Sequence, residues 1–70
     1  MSVVWESSGE AFYAHVEATD GTRKSPIVEP LPAGGWDWSV WRQGNGWRGA
    51  HSGTARTAQE AMREAEDVAA

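Results

Sequence analysis

The stretch "GGWDWSVWRQGNGWRG", residues 34–49, holds four of the five tryptophans of this chain. From 36 to 42 the pattern has a period of two. Trp36, Trp38, Val40 and Arg42 share one face of an extended strand, and Asp37, Ser39 and Trp41 share the other. Asn45-Gly46 is the favoured pair for a two-residue hairpin loop, because both residues tolerate the positive φ it demands. A turn at Gly44-Asn45 leaves the faces unchanged, whereas a three-residue bulged loop flips the return strand. The return strand, 47–55, then places Trp47, Gly49, His51, Gly53 and Ala55 on the first face. Bulky residues oppose small ones, and Trp41 falls opposite Ala50.

At 70 residues a single core only just offsets the conformational entropy lost on folding. There is no cysteine to staple the chain, and its two histidines, His15 and His51, are too few for a metal cage. The indoles supply the missing adhesion: each can bury on the order of 200 Å², roughly 5 kcal/mol of gross burial at about 25 cal/mol per Å².

Upstream, "SVVWES" (2–7) reads as a first strand. "EAFYAHVEA" (10–18) reads as a second, with Phe12, Ala14 and Val16 on one face and Tyr13, His15 and Glu17 on the other. A turn at Ser8-Gly9 sets Trp5 opposite Phe12 and Val3 opposite Ala14. Asp20-Gly21 is a further hairpin signal. "RKSPIVE" (23–29) follows, with Glu17 facing Lys24, but Pro26 and Pro30 lack the N–H that a central ladder needs. An edge strand or an extended arm is therefore expected. "PLPAGG" (30–35) connects it to the tryptophan hairpin.

In "TAQEAMREAEDVAA" (57–70) Thr57 and Glu60 have capping-box spacing, the hydroxyl accepting from the N–H of Glu60 and the carboxylate reaching back to that of Thr57. Ala58, Ala61, Met62, Ala65, Val68 and Ala69 form one apolar stripe of a helix. It is mostly alanine, which suits close approach to a sheet face carrying indoles. The order β-β-(β)-β-β-α predicts a single α+β domain over 1–70: an antiparallel sheet of four or five strands with the C-terminal helix on one face.

Such a domain has a covered and a bare sheet face. Trp5, Trp36, Trp38 and Trp47 are expected in the core with Phe12 and Val16. Trp41 has the opposite parity and is expected on the bare face, near Ser39, Gln43 and Arg48, with Tyr13, His15 and Val4 joining it if the hairpins share one sheet. An exposed tryptophan beside arginine is the composition of a recognition hot spot. Two plainer readings stand beside this one: Trp41 lies under the proline-rich arm, or Arg48 merely stacks on it as a cation–π pair. A second candidate surface is the acidic outer face of the helix, Glu60, Glu64 and Asp67, either an ordinary solvated face or a docking row for a basic partner.

Catalytic equipment is not evident. His51 reads as a core or rim residue, His15 as a solvated neighbour of Glu17, and the glycines near 34–46 lack a phosphate-loop lysine. No metal or other cofactor is implied. The net charge of −4 disfavours nucleic acid as the partner. The charge is uneven, however, with net +2 over 36–56 and −3 over 57–70. The N-terminus lacks a basic region followed by an apolar run, and nothing approaches eighteen consecutive apolar residues, so a cytoplasmic protein without a membrane span is expected.

From Gly53 onward, "GTARTAQEAMREAEDVAA" resembles the end of a double-stranded RNA-binding domain, in which a glycine-containing last strand runs into a capped, alanine-rich helix. That family's phosphate-clasping lysines are Ala58 and Gln59 here, and its N-terminal helix has no counterpart, so the resemblance implies topology and not duplex binding. The pattern W-x-W-x-V followed by G-T-A-x-T-x-x-E-A also resembles small uncharacterised bacterial and phage proteins. The expectation is a non-catalytic protein-binding module, of the kind used by phage and mobile-element inhibitors such as anti-CRISPR proteins. Self-association is a close variant. The alternative is nucleic-acid binding by the hairpin 36–56, with Trp41 as stacking platform and Arg42, Arg48 and Arg56 on phosphates.

Overall fold

The tryptophan segment forms a long hairpin, and the rest of the chain is arranged around it. The structure is a computed structural model describing residues 3–17, 21–44 and 46–69, with backbone alone for residues 43, 44 and 46–50. The element order is β1 (Glu6–Ser8), β2 (Ala11–Tyr13), β3 (Val16–Glu17), β4 (Arg23–Pro30), β5 (Trp36–Gly44), β6 (Gly46–Ala55) and α1 (Ala58–Ala69). All pairings are antiparallel, in the order β1-β2-β4-β5-β6, with β3 also pairing with β4. This is an α+β fold: a six-stranded antiparallel sheet with one C-terminal helix.

The strand expected at an edge lies in the middle. β4 pairs with β2 and β3 on one side and β5 on the other. The prolines do not prevent this, because of the direction in which their nitrogens point. Ala14 N–H donates to the Pro26 carbonyl at 3.1 Å. In an antiparallel ladder the residue that accepts there would also donate back to Ala14, and Pro26 cannot. Ser25 Oγ–H donates to the Ala14 carbonyl instead, at 3.0 Å and buried. The side-chain hydroxyl replaces the missing ladder bond, and the expected strand 10–18 is split into β2 and β3 at this point. Toward β5, Pro26 and Pro30 face Val40 and Trp36 at positions where no N–H is required.

Three registers differ from expectation. The first hairpin turns at Gly9-Glu10, with Gly9 at φ 62° in the first central position, as a II′-type turn prefers. Ser7 therefore opposes Phe12 in place of Trp5, and β1 is confined to Glu6–Ser8. A shift of two residues preserves the faces, so Val3, Trp5 and Phe12 still pack against the core. Between β3 and β4, Glu17 opposes Arg23 and Val16 opposes Lys24. The Asp20-Gly21 and Asn45-Gly46 turns each include a residue outside those described. In β5–β6 the expected pairing holds from Trp36↔Ala55 to Val40↔His51, then shifts at a bulge so that Trp41 opposes Gly49 instead of Ala50. Beyond the bulge Trp47 opposes Gln43, which changes its expected parity, and its side chain lies outside the description.

The covered face carries Val28, Trp38 and Val40, against which Ala61, Ala65 and Ala69 of α1 are fully buried at i, i+4 and i+8. Trp36 and Phe12 add a tilted ring pair at 6.1 Å. Trp38 lies across Gly53, where a Cβ would meet its ring at 2.8 to 2.9 Å. The helix starts as its spacing predicts: Glu60 N–H donates to Thr57 Oγ1 at 3.1 Å. The reciprocal bond comes from Arg56 N–H to Glu60 Oε2 at 3.4 Å, one residue earlier than expected.

Two outcomes test this account. Gly53→Ala overpacks the Trp38 contact and should destabilise the fold by about 1–3 kcal/mol in urea unfolding. Ser25→Ala leaves the Ala14 carbonyl without its donor and should cost about 1–3 kcal/mol by the same measurement, whereas no loss would mean that the hydroxyl does not replace the ladder bond.

Candidate functional site

Side chains at odd positions of β4 and β5 point away from the helix, because each strand alternates and the even positions fill the core. Ser25 opposes Trp41 and Ile27 opposes Ser39 in the register, with Tyr13 opposing Ile27 from β2. Trp41 is 37% exposed, in contrast to Trp38 at 9%. The expected division of indoles between a covered and a bare face is therefore observed for these two residues.

Trp41, Ile27, Ser25 and His15 line an open cavity of about 290 Å³ on the bare face. The indole Nε1–H donates to Ser39 Oγ at 3.0 Å, and the Ser25 hydroxyl donates to the Ala14 carbonyl. The indole and hydroxyl donors are thus engaged within the protein. The walls present an aromatic face, aliphatic carbon, acceptor oxygen and the His15 imidazole, which suits a largely apolar occupant. Tyr13 sits one row away, edge-on to His15 with ring centroids 6.2 Å apart. Val4, 79% exposed, is the other large apolar side chain open to solvent among the described residues. The proline-rich arm does not cover Trp41: residues 23–30 form β4, and the connector is a hairpin loop closed by Leu31 N–H to Gly35 O at 3.0 Å.

The other expected site residues are divided. Gln43 keeps the odd parity of Trp41 two residues along β5 and opposes Trp47, whereas Arg48 opposes Arg42 and so takes the even parity. Their side chains are outside the description. On the helix, Glu60 accepts from the Arg56 N–H, and Glu64 Oε2 accepts from Trp38 Nε1–H at 3.0 Å. Two of the three acids expected to form a docking row are thus engaged in bonds within the chain. Asp67 is exposed on α1, in the other layer from Trp41. Ser25 and Ile27 are the site residues that sequence reasoning missed, because a strand read as an edge or arm offers no floor to a cavity. The signal was present: Ser25 and Ile27 alternate with Pro26 and Val28.

Among the described residues, no group of three or more His, Cys, Asp or Glu is placed to hold a metal ion, and no helix is long and apolar enough to cross a membrane. No family model matches the chain, and neither the proteins of described function nor the solved structures compared with it include a match.

The Trp38–Glu64 bond separates a structural acid from a docking acid. Glu64→Ala should lower unfolding stability by about 1 kcal/mol, while Asp67→Ala should stay within about 0.5 kcal/mol of the parent. Equal effects of the two substitutions in chemical denaturation would remove the structural role assigned to Glu64.

Proposed function

We propose that this chain is a non-catalytic protein-binding module that acts by occupying a macromolecular partner through the bare sheet face around Trp41. The observation that carries the reading is the exposed indole beside an open, largely apolar cavity in which the Trp41 and Ser25 donors are engaged within the protein. Such a site favours an apolar side chain of a partner protein, inserted against the ring face as an interface anchor. Residues of a six-stranded sheet hold it, so little ordering is required on binding. The acidic outer face of α1 is a secondary surface in this reading, reduced by the structural bonds of Glu60 and Glu64.

Nucleic-acid binding is the competing reading, and the geometry gives it less support. It requires cations on the same face as the stacking indole. Of the described cations of β4 and β5, Lys24 and Arg42 oppose each other in the register at even positions whose side chains alternate to the face opposite Trp41; only Arg23, at an odd position opposite Glu17, shares the face of Trp41.

The test is a partner captured from the native host, identified by mass spectrometry and then titrated in purified form. Trp41→Ala should weaken that complex by about 30-fold or more, as loss of a hot-spot anchor does, with unfolding stability close to that of the parent. Unchanged affinity overturns the reading. Binding of single-stranded DNA or RNA that falls steeply with salt would establish the competing one.

A further inference from the structure

β6 ends the sheet: among the described residues no strand pairs with its outer side. The bond from Ala14 N–H to the Pro26 carbonyl fixes which backbone groups point outward. It directs the polar groups of even residues in β4 toward β2 and β3, and therefore those of odd residues toward β5. Carried through the registers Ser25↔Trp41 and Trp38↔Gly53, the alternation directs His51, Gly53 and Ala55 inward to β5. Ser52 and Thr54 turn their N–H and C=O groups out from the edge, and both residues are exposed.

Edge strands of natural sheets are usually protected by charge, proline or shortness. β1, at the other edge, has three residues and carries Glu6. β6 has ten residues, and from His51 to Ala55, clear of the bulge opposite Val40 and Trp41, it contains neither a proline nor a charged residue.

We propose that a second copy of this chain pairs antiparallel along β6, about a two-fold axis at Gly53. In that register Ser52 of one copy opposes Thr54 of the other on both sides of the axis, so the outward N–H and C=O groups of these residues find partners. A Ser–Thr cross-strand pair is itself a favourable one. His51 meets Ala55, and Arg56 meets Ala50, so no like charges are opposed. Most acids of α1 are held back from the junction, because the helix packs chiefly on β4 and β5; Glu60, bonded to the Arg56 N–H, is at its end. The occupant is a second copy because the segment complements itself in hydroxyl pairing, size and charge. A two-fold axis normal to the sheet keeps both helices on one side and leaves both Trp41 faces uncovered, so the pairing does not depend on the binding role proposed for Trp41.

The test is sedimentation equilibrium of the whole chain over a range of concentrations, combined with residue-resolved amide hydrogen exchange. A reversible monomer–dimer equilibrium is expected. The Ser52 and Thr54 amides should become protected as the dimer fills, while His51, Gly53 and Ala55 stay protected throughout. Thr54→Pro removes only an outward donor and should abolish the dimer while the circular dichroism of the monomer is kept. Trp41→Ala should leave the dimer intact. A chain that stays monomeric at every concentration overturns the proposal. So does a dimer in which Ser52 and Thr54 exchange as fast as in the monomer, and so does a dimer lost on Trp41→Ala, which would place the contact on the bare face.

Discussion

The fold depends on one ring lying on one glycine. Trp38 covers Gly53 so closely that a side chain there would collide with it, and its Nε1–H reaches Glu64 on the helix. A single residue thereby joins β5, β6 and α1. Glycine inside a strand ordinarily weakens it, since nothing packs above the backbone. Here the indole of the neighbouring strand fills the space, as aromatic cover does for sheet glycines. The alanines of α1 then approach the face without competing for volume, and a cysteine-free chain of 70 residues obtains a packed core.

A second constraint is the proline in the middle of the sheet. β4 is central because Pro26 directs its missing donor at one carbonyl, and Ser25, its neighbour in sequence, supplies that bond. The same arrangement serves both faces of the sheet. Pro26 and Val28 are buried beneath the helix, while Ser25 and Ile27 form part of the cavity beside Trp41. The site is therefore built on the strand that received the weakest structural reading from its sequence.

The two surfaces that composition suggested as interaction sites are thus unequal. Sheet parity sends Trp41 outward, and its N–H turns back to Ser39 two residues away, leaving the ring to meet an apolar group. The carboxylates of Glu60 and Glu64 are used by a helix start and by an indole. An acidic residue on a solvated helix face can be part of the structure when a donor lies within reach; the Thr57–Glu60 spacing signals this for Glu60, whereas nothing in the spacing of the acids does so for Glu64.

What the sequence determined by itself was local and periodic. The alternation around WDW decided which indoles face the helix, the Thr57 cap decided where the helix begins, and the three-and-four spacing of alanines decided which of its sides is buried. These follow from bond geometry and side-chain period, which need no knowledge of distant residues. The centrality of β4, the bulge that sets Trp41 opposite Gly49, the Trp38–Glu64 bond and the cavity over Ile27 were decided only by tertiary structure. Each depends on which strand lies beside which, and a sequence pattern records the face of a residue without recording its neighbour across the sheet.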